Sequence, residues 1–296
     1  MNAIFAVLAT LAAAAGPPGR FAEEVQVGDA ISVGNLSVFP LRLRRAVPAP
    51  DALALDEAMR AGLVTVREAG GGMVNRLLVS NRGDRPVYAM AGELLIGGKQ
   101  DRIIGQALVL PPHAAEVPVP VFCVEHGRWQ GASATFRSAG VLGHSGLRQK
   151  ALAGQQVEVW REVAAANARL HTENASDTYR AAAGRLARDV GPAAARVLGA
   201  LDGVPEVAGL AAAIDGRVVA VELFASPRLF ARARQKLVAS YVAEALAAPP
   251  SAHPAAPPSR SAVAALADEA ERGEALAGKA VDPTTGRALQ TSYLAR

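Results

Sequence analysis

The hydrophobic period of this chain changes once, after Arg137, and that change limits the folds open to it. Before Arg137, apolar side chains alternate with polar ones or form short runs bounded by turn residues, a pattern typical of β-strands. The predicted strands are residues 31–44 (broken at Pro40), 63–67, 73–80, 85–96, 102–110 and 116–125. After Arg137, alanine and leucine recur at helical spacing. We therefore expect an α+β protein whose N-terminal, mostly antiparallel sheet is covered by a C-terminal helical region.

The helical region begins after a predicted glycine-rich loop, residues 138–146, that contains His144. The predicted helices are residues 147–153, 155–170, 176–189 and 192–201. Ser176 is a good N-cap for the third of them. We expect these helices to cover one face of the sheet and to carry no chemistry of their own.

A late strand and helix complete the predicted main domain, which spans residues 31–246 after a lead over 16–30. The strand (218–224) runs straight into an amphipathic helix (227–246), and this connection favours packing on the sheet over contact with a membrane surface. Lys236 is expected among the polar residues on the helix surface. A proline-rich linker (247–261) follows, and the last segment (262–296) is expected to return to the main domain through a strand over 287–294.

Residues 1–15 form an apolar run of signal-peptide length, and the small residues Ala13 and Ala15 suit a cleavage site. The run predicts export, to the periplasm or outside the cell. It contains no Lys or Arg and is too short to span a bilayer comfortably. An uncleaved anchor, or an incorrect start with a cytoplasmic protein, is therefore the alternative. No second apolar stretch of spanning length follows.

Gly97 and Gly98 divide two apolar runs, and this dipeptide favours a tight hairpin turn because glycine adopts positive φ without strain. A two-residue turn at this point places Glu93 opposite Arg102. The two side chains then form either a cross-strand ion pair, worth up to roughly 1 kcal/mol, or part of a surface that faces a ligand.

The next strand carries Pro118 and Pro120, so one of its edges lacks two backbone donors and cannot be fully paired. Its alternation places a row of valines on one face, and Glu125 ends that row. If this face is the core, the carboxylate needs a partner, and Arg128 and Trp129 are the nearest in sequence. The alternative is a strand end at which Glu125 and Arg128 pair in water.

Known motifs for catalysis and cofactor binding are absent from the sequence. The segment GGKQ is not a Walker loop, and there is no GxGxxG, GxSxG or HExxH. Cys123 is the only cysteine, which indicates a buried, inert thiol, with a nucleophile beside His126 as the alternative. The five histidines are scattered, so no metal site is predicted unless Cys123, Glu125, His126 and His144 meet across the fold. No cofactor can be named.

The amino-acid composition limits the classes of partner that the protein can bind. The 296 residues are 51% hydrophobic, enough for a substantial core, and the net charge is only +4. Aromatic residues make up 4% of the chain, and none interleave with clustered basic residues. Because single-stranded nucleic acids are bound by such basic and aromatic platforms, no nucleic-acid partner is predicted.

A resemblance to the ADP-ribosylglycohydrolase and rhodanese-phosphatase associated protein domain is carried by GELLIGGKQDR and VPVFCVEHGRW, with the later VEVW, LFASPRLFARARQKLVASYVAEAL and TSYLAR. It extends from about Asn35 to the C-terminus, and GGKQDR and CVEHGRW are its specific motifs. This family has no established function or catalytic residues. The resemblance therefore implies an identity and an association with ADP-ribose-related enzymes, but no mechanism.

Two function classes follow. The first is a module that binds a small molecule or a protein partner through a polar surface. The second is a hydrolase-like enzyme in which Glu93 or Glu125 acts as general acid or base on an ADP-ribose-like or other phosphorylated substrate. Binding ranks first because no nucleophile, metal or cofactor motif is recognisable. The candidate binding residues are Glu93, Lys99, Gln100, Asp101, Arg102, Cys123, Glu125, Arg128 and Trp129.

Overall fold

A computed structural model of the protein describes residues 21–70, 73–128, 133–248 and 255–296. The export segment predicted over residues 1–15, the candidate residue Trp129 and part of the proline-rich linker lie outside these ranges.

The helices are α1 (Phe21–Glu24), α2 (Leu55–Arg60), α3 (Ser145–Leu152), α4 (Gln156–Arg169), α5 (Tyr179–Asp189), α6 (Gly191–Asp202), α7 (Pro227–Ala247) and α8 (Arg260–Glu271). The strands before α3 are β1 (Val25–Val27), β2 (Ile31–Val33), β3 (Leu36–Leu43), β4 (Leu53–Ala54), β5 (Val64–Glu68), β6 (Arg76–Asn81), β7 (Val87–Ala89), β8 (Glu93–Gly97), β9 (Arg102–Ile104), β10 (Leu108–Leu110), β11 (Val117–Cys123) and β12 (Phe136–Leu142). The later strands are β13 (Gly209–Ile214), β14 (Arg217–Phe224), β15 (Leu276–Val281) and β16 (Ala288–Leu294).

The described strands form three sheets. The largest has seven strands in the order β1-β3-β13-β14-β16-β15, with β2 also paired to β3. A six-stranded sheet has the order β12-β8-β9-β11-β6-β5, and a small sheet joins β10, β7 and β4. Of the described pairings, only that of β4 with β7 is parallel. The predicted α+β class, with a strand that leads into a long helix at β14 and α7, is confirmed.

Helices cover both faces of the large sheet. Leu210 of β13 lies in one core cluster with Leu237 of α7, whereas the next residue, Ala211, lies in another with Leu266 of α8. This alternation is the period-two geometry of a strand that is buried on both faces. Helices α3, α4 and α5 pack instead on the six-stranded sheet, against residues that include Ile103. The strands β15 and β16 extend the large sheet from β14.

The predicted register of the hairpin is wrong by two residues. Arg102 lies opposite Leu95, not Glu93, and this pairing places Gly98 and Lys99 at the centre of the turn. The physical reason is a side chain within the hairpin: the Asp101 carboxylate accepts the Gly97 N–H at 3.1 Å. Because a two-residue shift keeps every side chain on its face, the predicted burial of the strands is unaffected.

Three further expectations need correction. Residues 138–142 belong to strand β12, because the open edge of β8 pairs with this glycine- and alanine-containing segment and overrides its weak strand propensity. Thr178, and not Ser176, caps α5, since its hydroxyl accepts the N–H of Arg180. Pro40 lies within β3, at the point where the neighbouring strand changes from β2 to β1, so no ladder bond needs its missing donor.

Candidate functional site

The turn of the β8–β9 hairpin, the end of β11 and the start of α5 meet in a polar group, which we call the turn cluster. Its members are Gln100, Asp101, Arg102, Glu125, Arg128, Thr178 and Arg180. Most of the residues predicted as one site are therefore brought together, and the helix predicted to carry no chemistry supplies two more.

Asp101 lies at the centre of the turn cluster and is fully buried. Arg180 binds it with two nitrogens, Nη2 at 2.7 Å and Nε at 3.0 Å. Thr178 Oγ1 donates to the same carboxylate at 3.2 Å, and Arg128 Nη2 lies 3.4 Å away. Together with the Gly97 N–H, these contacts occupy both carboxylate oxygens of Asp101.

Glu125 is also buried, at 3% exposure, and Arg128 is its partner. Arg128 donates to Oε2 from Nη2 at 2.6 Å and from Nε at 3.0 Å, and the backbone N–H of Asp101 adds a third bond at 3.1 Å. Burial alone would raise the pKa of Glu125, but these hydrogen bonds outweigh it and lower the pKa. A carboxylate held ionised in this way is a poor general acid.

The other predicted residues of this region have structural contacts. Gln100 Nε2 donates to the carbonyl of Glu125 at 2.7 Å, and the fully buried Arg102 donates from Nη1 to the carbonyl of Gln100 at 2.7 Å. The backbone N–H of Lys99 donates to Glu68 Oε1 at 2.9 Å. Cys123 is fully buried, and burial raises the pKa of its thiol to about 11. The thiol is therefore protonated and inert at neutral pH.

Glu93 is the predicted residue that the structure places elsewhere. Its Oε1 accepts Lys236 Nζ of α7 at 2.9 Å, and Asp56 Oδ1 of α2 accepts the same ammonium at 2.7 Å. Lys236 is 6% exposed, so the expectation that it lies on the surface is wrong. Lys236 lies seven residues after Leu229 and three after Ala233, so it falls within the apolar stripe of α7. This spacing is the sequence signal that indicates its burial.

The ionisation of this buried group follows from its contacts. Burial alone would lower the pKa of Lys236, but the carboxylates of Glu93 and Asp56 outweigh it and raise the pKa. Burial raises the pKa of Glu93, whose one cationic contact in the described part of the chain is Lys236. The pKa of Asp56 is lowered despite its burial, because Lys236 and Arg60 both bind it. Lys236 is therefore held as a cation in the interior.

Lys236 lies in the wall of a cavity of about 680 Å³, which we call the helical cavity. Its apolar lining includes Leu186 of α5, Val190 between α5 and α6, Ala194 and Leu198 of α6, and Ala239 of α7. Its polar lining includes Asp56, Arg60, His144, Tyr179, Arg232, Gln235, Lys236 and Ser240. A mostly apolar cavity with a few convergent polar groups is the usual form of a small-molecule site.

A second group at this cavity is a hydrogen-bonded chain of Glu162, His144 and Tyr179. Glu162 Oε1 lies 2.7 Å from His144 Nε2, and His144 Nδ1 lies 2.9 Å from the Tyr179 hydroxyl. The same hydroxyl also accepts the backbone N–H of His144 at 3.3 Å. His144 also borders a second cavity of about 550 Å³, which Glu162 lines.

The pH dependence of stability tests the role of Glu162 in this hydrogen-bonded group. Hydrogen bonding from His144 lowers its pKa to about 2, against an ordinary value of 4.5. A carboxyl with a depressed folded-state pKa contributes stability above its unfolded pKa, and this contribution is lost as pH falls towards the folded pKa. We expect the difference in unfolding free energy between wild type and Glu162→Gln to shrink as pH falls from 4.5 to about 2.

Urea unfolding over this pH range measures that difference. Glu158→Gln is the matched control, because Glu158 lies one turn earlier on α4 and contacts Arg161 at the surface. We expect its difference from wild type to stay nearly constant over the same range. A Glu162→Gln difference that is also independent of pH would contradict the proposed ionisation of Glu162.

Sequence reasoning placed His144 in a loop and assigned no chemistry to α4 and α5. Glu162 and Tyr179 lie 18 and 35 positions after His144 in the sequence. No local sequence pattern therefore indicates that the three side chains meet. Among the described residues, no group of three or more His, Cys, Asp or Glu side chains is arranged to hold a metal ion. The described helices include none that is both long and apolar enough to cross a membrane.

Comparison with known protein families identifies a match over most of the chain. The family model of the ARG and Rhodanese-Phosphatase-superfamily-associated Protein domain, ARPP-1, matches residues 24–295. No curated protein and no solved structure matches the chain.

Proposed function

Because the chain belongs to the ARG and Rhodanese-Phosphatase-superfamily-associated Protein domain family, which has no characterised function, we propose its function from geometry: it is an exported module that binds a small molecule in the helical cavity. One observation carries the proposal. Lys236 is buried in the cavity wall, and two of its three donor hydrogens are used by Asp56 and Glu93. The described residues supply no acceptor for the third, which a ligand could bind.

The turn cluster is a weaker candidate for the same role. The carboxylates of Asp101 and Glu125 are occupied by arginines and backbone N–H groups, so little of their bonding capacity is left for a ligand. A ligand would have to displace these partners at a cost in stability. The helical cavity already has the space and requires no such exchange.

Filling the cavity tests the proposal. We expect the neutral fluorescent probe N-phenyl-1-naphthylamine to bind wild type, because its rings fit an apolar cavity. We expect Ala239→Phe to weaken this binding about tenfold or more, since the new ring occupies the space beside α6. A tenfold loss corresponds to about 1.4 kcal/mol of binding free energy. Fluorescence titration measures both affinities.

Ala231→Phe is the matched control. Ala231 lies two turns earlier on α7, is exposed and lines neither cavity, so the affinity should stay within about twofold of wild type. Equal effects of the two substitutions would show that the probe binds outside the helical cavity and would remove the proposal.

The second candidate is a hydrolase-like enzyme that acts on an ADP-ribose-like or other phosphorylated substrate. The chain of Glu162, His144 and Tyr179 favours it, because a carboxylate that orients an imidazole is a common arrangement for proton transfer. Glu93 is bound by Lys236, and Glu125 is bound by Arg128. The chain of Glu162, His144 and Tyr179 is therefore a better candidate for general acid–base chemistry than either carboxylate. Turnover that Glu162→Gln abolishes and Glu158→Gln preserves would favour this candidate.

A further inference from the structure

We infer that the ligand of the helical cavity is an amphipathic anion, a molecule whose carboxylate or phosphate group binds Lys236 and Arg232 while its apolar body lies against α6. This inference rests on the proposed function and names the chemical class of its ligand.

The charge of the cavity wall supports an anion. Among the described residues, the cationic side chains in the lining are Arg60, Arg232 and Lys236, and the carboxylate is Asp56. The other carboxylates that hold these cations are Asp51, Glu57 and Glu93, and none of them belongs to the lining. A ligand therefore meets mainly positive charge at the polar end of the cavity.

The network of ion pairs around these lining residues also has a net positive charge. In the described part of the chain, its four carboxylates are Asp51, Asp56, Glu57 and Glu93, and its five cations are Arg60, Arg85, Arg228, Arg232 and Lys236. Five positive charges against four negative ones leave a net charge of +1 when all are ionised.

Unsatisfied donors on two of the lining cations also support an anionic ligand. The third hydrogen of Lys236 has no acceptor among the described residues. Arg232 Nε is likewise buried without a hydrogen-bond partner in the described part of the chain, and Arg232 lines the same cavity. Buried donors without acceptors are unfavourable, and a carboxylate or phosphate oxygen is the acceptor that ammonium and guanidinium groups bind most strongly.

The rest of the lining requires an apolar body. Leu186, Val190, Ala194 and Leu198 form one wall, and a small inorganic ion would leave that wall in contact with water. A cavity of about 680 Å³ lies in the range that holds drug-sized molecules. The two ends together fit a molecule with one charged head and an aliphatic or aromatic body.

A matched pair of probes tests the charge. 1-Anilinonaphthalene-8-sulfonate has the rings of N-phenyl-1-naphthylamine and adds one anionic sulfonate. We expect the anionic probe to bind wild type about tenfold tighter or more, in line with the strength of charge-assisted hydrogen bonds. We expect Arg232→Gln to remove most of this advantage, so that the ratio of the two probe affinities falls towards one.

Arg232 is the better first substitution because it is partly exposed, as are its partners Asp51 and Glu57, so its loss leaves no fully buried charge. Arg234→Gln is the control, since Arg234 lies on the same helix, pairs with Asp202 and lines neither cavity. Lys236→Gln is the second substitution, checked for folding by circular dichroism, and should act in the same direction as Arg232→Gln.

Competition experiments distinguish a carboxylate head group from a phosphate head group. Octanoate, octyl phosphate and neutral octanol share one apolar chain, and each is used to displace the anionic probe. Stronger displacement by octanoate or by octyl phosphate than by octanol supports the inference and identifies the preferred head group. Displacement by octanol that equals that of both anions would overturn it.

Failure of this inference can be distinguished from failure of the proposed function. If both probes bind with equal affinity and both are lost in Ala239→Phe, the cavity binds ligands but has no preference for an anion, and the inference is wrong. If neither probe binds, or if Ala239→Phe leaves both affinities unchanged, the proposed function fails and this inference fails with it.

Discussion

Arg148→Met is expected to lower the free energy of unfolding by about 3–5 kcal/mol, because it leaves a buried carboxylate without its cation. Arg148 and Glu222 are both fully buried, and Arg148 Nη1 lies 2.7 Å from Glu222 Oε1. Arg148 also donates to the Tyr241 hydroxyl at 2.9 Å and to Ser292 Oγ at 3.0 Å. This pair therefore connects α3 to α7 and to two strands of the large sheet.

Urea unfolding measures the loss, and two comparisons separate its causes. In the background Glu222→Gln, the same Arg148→Met substitution should cost less, because no uncompensated carboxylate remains. Arg185→Met is the surface control, since Arg185 pairs with Asp189 in water, and it should change stability by less than about 1 kcal/mol. An Arg148→Met protein as stable as Arg185→Met would contradict the expectation.

The fold was largely predictable because its signals are local. Period-two alternation placed Glu125 at the end of a buried row, and the helical stripe of α7 packs as its spacing indicates. Strands β13 and β15 were missed because GLAAAI and LAGKAV are rich in alanine and glycine, which have weak strand propensity. Their position is decided by pairing with β3, β14 and β16.

The candidate site was much less predictable because its contacts are distant in sequence. Lys236 meets Glu93 across 143 positions and Asp56 across 180. The sequence shows that Lys236 falls in an apolar stripe, but it does not show which carboxylates neutralise it. The motif residues Asp101, Glu125 and Arg128 were recognisable as unusual, and they bind one another, whereas the helical cavity lies elsewhere.

Asp101→Ala is expected to lower the free energy of unfolding by about 3 kcal/mol. The fully buried carboxylate accepts hydrogen bonds from Arg180, Thr178 and the Gly97 N–H. Hydrogen bonds to charged groups contribute roughly 1.5–3 kcal/mol each, but Arg180 is half exposed and can regain water, so the losses do not simply add. The main cost is the unpaired backbone donor in the turn and the release of the first turn of α5.

The same substitution decides between the turn cluster and the helical cavity as the binding site. Because Asp101 does not line the cavity, Asp101→Ala should leave the affinity for 1-anilinonaphthalene-8-sulfonate within about twofold of wild type, measured where the variant is folded. Asp189→Ala, at the exposed end of α5, is the control and should change stability by less than about 1 kcal/mol. A stable Asp101→Ala protein that has lost tenfold or more in affinity would return the binding site to the turn cluster, since a residue that holds only the fold affects binding through the folded fraction alone.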